Sequence, residues 1–425
     1  MIISHPAMSD HELLCGSPLH TVPTLDFDRL MVVSALGRGA KGVVFLVREE
    51  EEEEESAGEL LALKVILRDS IEKKKHHDGK DGNEYKRVIF EQQVLKRFDH
   101  ALLPRLRGVL ATEKVVGYAI DYCPGRDLNF LRKKQTEKMF SDDIIRFYAA
   151  ELVLAMEYLH NQGIVYRDLK PENIMIQENG HIMLVDFDLS TKLSPRSAQS
   201  SPSPISIQKS ESVRKKRFSL FQRWCNSGIL PDDSAPHPES SSETETDSSE
   251  KSNSFVGTEE YVAPEIISGD GHDFEVDWWS LGVVLYEMLY GRTPFKGPTR
   301  KETFYRILMK TPDLVGEKTA LRDLIGKLLE KNPKQRITVE GIKSHSFFSG
   351  VDWEMVLQLS RTPYIPCQEG LNGSEKEGIK RDDVEMFVEK IFGSEDGKVE
   401  GVDDNGNWVK GVNNESCEVS NFLVF

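Results

Sequence analysis

Gly163-Ile-Val-Tyr-Arg-Asp-Leu-Lys-Pro-Glu-Asn173 is the stretch whose reading decides the fold. A strand-like run, His181-Ile-Met-Leu-Val185, follows it and delivers Asp186-Phe187-Asp188. The segment closes with Ser254-Phe-Val-Gly-Thr-Glu-Glu-Tyr-Val-Ala-Pro-Glu265. An Asp, a Lys and an Asn at 168, 170 and 173, followed closely by Asp-Phe, supply what phosphoryl transfer requires. Asp168 can accept the proton of a substrate hydroxyl, and Lys170 can neutralise the moving phosphate. Asn173 and Asp186 can hold magnesium against the oxygens of ATP. A polar loop followed by a buried hairpin is the bland alternative for one such motif alone.

Upstream, Leu30-Met-Val-Val-Ser-Ala-Leu36 runs into Gly37, Arg38, Gly39, Ala40, Lys41 and Gly42, and then Val-Val-Phe-Leu-Val47. Apolar β-branched runs flank the glycines on both sides, so the pattern is strand–turn–strand rather than the strand–turn–helix of a dinucleotide fold. A glycine backbone in such a hairpin can fold over phosphates and offer N–H donors, with Val44 over the adenine. In Glu59-Leu-Leu-Ala-Leu-Lys64-Val-Ile-Leu67 the alternation places Ala62 and Lys64 on one face. Ala62 can then touch adenine while Lys64 reaches the α and β phosphates. A lysine among so many apolar residues needs a partner, because burying its charge unpaired is costly. The helical stretch Glu84–Phe98 offers Glu84 and Glu91.

These residues together resemble a protein kinase. Tyr166 before Arg-Asp resembles the AGC group, and Asp188 in place of the usual Gly, with the long insert before Ser254, resembles the plant-specific AGC class VIII kinases. The resemblance covers roughly residues 25–365 and the last few residues. It implies a bilobal α+β fold: an N-lobe of antiparallel strands with one helix over 25–122, and a mainly helical C-lobe over 123–348. A flexible leader, 1–24, precedes them and a C-terminal tail, 349–425, follows. It selects Glu91 as the partner of Lys64. It reads Asp121-Tyr-Cys-Pro-Gly as the hinge, with the backbone of Asp121 and Cys123 on the adenine edge, Ile120 as gatekeeper and Met175 as adenine floor. Leu36 and the glycine-loop residues complete the nucleotide site.

The resemblance further implies an activating phosphate on Ser254 held by Arg167, and Thr258 bonded to Asp168 and Lys170. Glu265 is expected to pair with Arg336, and Asp277 to tie down the catalytic loop. Asp127, Glu172 and Glu287 correspond to acidic positions that read basic residues before the phosphoacceptor, and Asp127 can also bind the ribose. Phe422 and Phe425 resemble the terminal Phe-x-x-Phe by which this group recruits the phosphoinositide-dependent master kinase. The implied biology is oxidative-stress or defence signalling in plants. Asp188 puts a second carboxylate near the magnesium, and with the insert it motivates a rival reading as a pseudokinase scaffold.

The net charge of −16 is uneven: Glu49–Glu55 form one block, at an expected strand turn, and much of the rest lies beyond 368. Such runs are solvated surface, so no basic partner follows from the total. The five cysteines, Cys15, Cys123, Cys225, Cys367 and Cys417, show no metal spacing and suit a reducing compartment. No signal pattern, spanning run or lipidation box stands out. The expectation is a monomer without nucleic-acid partners, cytoplasmic, with peripheral plasma-membrane or nuclear pools. Residues 191–252 are rich in Ser, Pro and acidic residues and read as a disordered insert. Within it, Arg214-Lys-Lys-Arg-Phe-Ser-Leu-Phe-Gln-Arg-Trp224 suits an anionic membrane surface or a nuclear import signal. Ser141 is the expected cap of a helix reaching about Gln162, with Phe147, Val153, Met156 and Leu159 as its core stripe. The tail from about 367 to 420 reads as disordered by composition.

Overall fold

The computed structural model describes residues 22–39, 41–49, 58–71, 83–193, 256–359, 362–366, 381–393 and 423–424. The apolar runs of the N-terminal third form β1 (Leu30–Arg38), β2 (Gly42–Glu49), β3 (Leu60–Leu67), β4 (Leu106–Ala111) and β5 (Val115–Asp121). They pair antiparallel in the order β1-β2-β3-β5-β4. Because side chains alternate across a strand, Val43, Phe45, Val47, Leu61, Leu63 and Val65 share one buried face, while Val44, Ala62 and Lys64 belong to the other. Val44 stands opposite Lys64, and Ala62 opposite Ile120. Helix α1 (Asn83–Leu95) carries Glu91 towards Lys64.

The lower lobe is built from α2 (Leu128–Lys133), α3 (Asp142–Asn161), α4 (Pro264–Ser268), α5 (Glu275–Tyr290), α6 (Arg300–Met309), α7 (Ala320–Leu328) and α8 (Val339–Lys343). Helix α3 buries Ile145, Tyr148, Leu152, Val153, Met156 and Leu159, the stripe of an amphipathic helix. Phe147 is only half-buried and meets Tyr148 edge-on. Ser141 sits at the N-cap without a side-chain capping bond; Asp142 and Asp143 place acidic charge in the first turn instead. Helix α5 is buried from Val276 to Met288 and ends on Gly291, whose φ of 69° is the left-handed stop that glycine adopts cheaply. Two short hairpins, β6 (Ile164–Val165) with β9 (Thr191–Lys192) and β7 (Ile174–Ile176) with β8 (Ile182–Leu184), frame the loops between the lobes.

Two boundaries differ from expectation. Thr191 and Lys192 pair with Val165 and Ile164, so regular structure continues beyond 190 before the insert. The expectation of disorder from 367 to 420 fails at α9 (Arg381–Gly393). Its Val384, Val388 and Ile391 join the buried face of the sheet, with Phe387 edge-on to Phe45. Apolar residues at helical spacing outweighed the polar composition around them, because the outer face of the sheet is apolar and needs a cover. At the end of the chain, β10 (Leu423–Val424) lies parallel to β1, Leu423 opposite Gly37 and Val424 opposite Arg38.

Candidate active site

The site begins with the loop after α3. Tyr166 and Arg167 both donate their backbone N–H to the Asp277 carboxylate, at 2.9 and 2.8 Å, and His160 Nε2 lies 2.8 Å from the same group. Asp277 is fully buried in the first turn of α5. Charge-assisted bonds of this kind are stronger than neutral ones, and they hold Arg167 in its left-handed backbone conformation, φ 68°. The Tyr166 hydroxyl donates to the carbonyl of Val185, tying this loop to the Asp-Phe-Asp segment.

Asp168 gathers the polar groups of the floor. Thr258 Oγ1 donates to it at 2.7 Å, Lys170 Nζ at 3.0 Å and Asn173 Nδ2 at 2.9 Å. Lys170 also donates to Thr258 Oγ1 at 3.2 Å. Asn173 is fully buried, and its Nδ2 also reaches the Asp168 carbonyl. Its Oδ1 is buried with no protein partner. An orphaned carbonyl oxygen is costly, and a carbonyl together with a carboxylate such as Asp186 is the donor chemistry of a hard cation that takes few protein ligands and keeps waters and phosphate oxygens.

Above the floor, Lys64 Nζ lies 3.1 Å from both Glu91 oxygens and 3.2 Å from Asp186 Oδ1. Burial works against the Lys64 ammonium, but Asp186 and Glu91 hold its pKa well above the usual value. Burial also raises the Glu91 carboxyl, against the pull of Lys64. At Asp186 burial pushes upward too, yet Lys64 and Lys170 overcome it and leave this carboxyl low. Asp186 is thus an anion poised at a half-buried position, with a left-handed φ of 59°. Phe187 is buried against Phe98 and Tyr166 at 4.8 and 5.2 Å, and its N–H donates to Glu91 at 3.1 Å. Helix α1 and the Asp-Phe-Asp segment are therefore locked to one another.

The roof is the β1–β2 turn. A Cβ at Gly42 would meet the Val65 carbonyl at 2.5 Å, so this glycine is required by sheet packing. At Gly39 a Cβ would meet nothing nearer than 3.7 Å. Its bareness serves no packing need and leaves room for a ligand to approach the backbone. Leu36, Val44, Ala62, Ile120 and Met175 are all half-buried, as the lining of an open cleft would be. The Asp121 carboxylate is occupied by Arg107 Nε and the N–H of Arg105, and Cys123 is buried against Met183 with its thiol pushed up by burial.

The acidic positions are more engaged than the sequence suggests. Asp127 caps α2 through the N–H of Phe130 at 2.7 Å. Glu287 pairs with Arg132 at 2.9 Å and accepts from the Tyr261 hydroxyl. Glu172 accepts from Asn129 at 2.8 Å and remains half-buried; burial raises its carboxyl, and Glu287 adds to that. Arg167 donates to the Leu189 carbonyl at 2.7 Å and lies beside His272. Arg336 holds Glu265 in a buried bidentate pair at 2.7 and 3.0 Å. Ala40, the Glu84 side chain, Ser254, the basic stretch 214–224, Phe422 and Phe425 lie outside the described residues. Sequence reasoning missed His160 and Arg132, which no motif marks, and the bond between Lys41 and Asp188 described below.

A β-roofed cleft over an Asp-Lys-Asn floor defines the class, and the chain belongs to the protein kinase family, whose domain matches residues 30–207 and 240–348. Within that family it is a serine/threonine kinase of the plant AGC type. It is 61% identical over 417 residues to serine/threonine-protein kinase OXI1 of Arabidopsis thaliana, across 94% of this chain and 97% of that protein. With serine/threonine-protein kinase UCN of the same plant the identity is 40%, across 83% and 88% of the two chains. Phototropin-2 of rice shares 39% over 335 residues, only 33% of its own length. The insert edges, the tail Asn421–Phe425 and the overall length, which resemble the oxidative-signal-inducible kinase of AGC class VIII, agree with the first of these.

Proposed function

We propose that the protein transfers the γ-phosphoryl group of ATP to serine or threonine hydroxyls of other proteins. The observation that carries this reading is the convergence of Thr258, Lys170 and Asn173 on Asp168, below the cluster of Lys64, Glu91 and Asp186. In this reading Asp168 Oδ takes the proton of the substrate hydroxyl as its oxygen bonds to the γ-phosphorus and the bond to the ADP oxygen breaks. Lys170 offsets charge on the moving phosphoryl group. Lys64, steadied by Glu91, anchors the α and β phosphates, and Asn173 and Asp186 hold magnesium. That ion, held by those two residues, would neutralise the charge that develops on the phosphates. The glycine turn covers the phosphates, and the hinge backbone at Asp121 and Cys123 pairs with adenine.

Finer points belong to the same proposal. Glu172, Glu287 and Asp127 favour basic residues near the phosphoacceptor; support rests mainly on Glu172, because the other two carboxylates already serve Arg132, Tyr261 and the cap of α2. Phosphate on Ser254 activates the enzyme through Arg167. The phosphoinositide-dependent kinase docks on Phe422–Phe425, the two aromatics that flank β10. The setting is oxidative-stress or defence signalling, in the cytoplasm with membrane or nuclear pools addressed by 214–224. Among the described residues no helix is long and apolar enough to cross a membrane.

The test is phosphate transfer from labelled ATP to a basic serine peptide by the wild type, by Asp186→Asn and by a chain lacking Phe422–Phe425, each with and without the upstream kinase. The wild type should be active, Asp186→Asn should be inactive while folded, and the truncation should lose only the stimulated part. A wild type that binds ATP and carries phosphate on Ser254 yet transfers nothing would leave a scaffold in place of an enzyme.

A further inference from the structure

Lys41 and Asp188 stand 147 residues apart, and the structure brings Lys41 Nζ to 2.8 and 2.7 Å from the two Asp188 oxygens. Lys41 is at the β1–β2 turn, next to Gly42; Asp188 is two residues past Asp186. The Gly39 N–H donates to the Gly42 carbonyl at 2.8 Å, so the turn closes on itself, and Lys41 extends from it to the floor. The side chains are 22% and 20% exposed, which places the pair at the mouth of the cleft, neither free in solvent nor sealed in the core. Asp188 also adds its negative charge to the cluster of Lys64 and Glu91.

We infer that Lys41 and Asp188 are positioning residues, a charge latch that holds the glycine turn down over the phosphate site and neutralises the second carboxylate beside Asp186. The inference rests on the reading of the cleft as a nucleotide site. Partly exposed ion pairs add little to global stability. A turn of this kind, however, opens locally at small free-energy cost, so even a weak pair shifts its open population several-fold. The latch also answers the problem that Asp188 poses. A carboxylate in the position usually held by glycine would repel incoming phosphates; paired with Lys41, its charge towards them is offset. Nucleotide exit requires the turn to lift, so the pair acts on the rate at which nucleotide leaves.

The experiment is hydrogen exchange on the nucleotide-free full chain, read on peptides covering residues 36–43. It is joined to stopped-flow dissociation of a fluorescent ADP analogue with magnesium. The variants are Lys41→Ala, Asp188→Ala, the double alanine and the swap K41D/D188K. Each single change should speed exchange of the turn by about three- to tenfold. The double alanine should be no faster than either single, and the swap should return close to wild type, with analogue dissociation following the same order. Equal exchange in wild type and singles would overturn the latch, as would singles whose effects add in full or a swap as fast as the singles. If the wild type does not bind the analogue while the exchange pattern holds, the nucleotide reading fails and the latch stands.

Discussion

In the floor of the cleft, two backbone amides, of Tyr166 and Arg167, converge on one fully buried carboxylate, Asp277. In the roof, the glycine turn meets Asp188 through the flexible side chain of Lys41. The floor bonds are short, charge-assisted and shielded from water, so they persist whether or not a ligand is present. The roof contact lies at a partly wet edge, where salt and incoming charge compete with it. The difference teaches how one cleft combines two demands. The groups at the reacting centre are pre-positioned, which is where small displacements cost most, while the cover stays cheap to open.

Asp277→Ala should break the floor and give the largest effect. Two N–H groups, that of Tyr166 buried and that of Arg167 partly buried, lose a charged acceptor, at a cost of about 2–4 kcal/mol. The displaced loop should lower kcat by roughly a hundredfold, with nucleotide affinity much less changed. Urea unfolding and steady-state kinetics on the same preparation check both halves, and a kcat close to wild type would dissolve the contrast between floor and roof. Val384→Asp attacks the roof from behind. It should undock α9 and expose the outer face of the sheet, costing about 3 kcal/mol by the area bared. It should raise exchange in β2 and β3 while the C-lobe keeps its protection. If it destabilises both lobes equally, the two are not separable units.

The smallest effect comes from His272, beside Arg167. Burial, and then the Arg167 charge, push its pKa down to about 4, against the pull of Glu265, Asp277 and Asp273. Between that value and the unfolded value of about 6.5 the unfolded chain binds the extra proton, so stability falls as pH drops through this window. The loss builds up through this window and is complete below the folded value. His272→Asn should flatten this limb in chemical denaturation from pH 7 to 4; an unchanged slope would assign the acid sensitivity of the floor to other groups.

Much of this was legible in the chain. The glycine turn between apolar runs, the lysine in a strand and the Asp-Lys-Asn and Asp-Phe pairs are local patterns whose residue types carry their chemistry at short spacing. Thr258 on Asp168 and the Glu265–Arg336 pair lie where the family resemblance put them. Helix α9 was hidden because it is a short apolar patch within a long polar tail, and only the bare face of a distant sheet makes that helix worth forming. The acidic residues Asp127 and Glu287 were read as free to meet substrate, yet the first caps α2 and the second pairs with Arg132, partners that no spacing reveals.

By itself, then, the sequence determined the class of fold and the reacting groups, because hydrophobic periodicity and motif chemistry are local. Only the tertiary structure decided what each charge faces. Lys41 and Asp188 meet across 147 residues. The terminal strand lies beside the glycine turn rather than standing free. Such contacts depend on where whole lobes bring their edges, and the energy that selects them is summed over the packing of both.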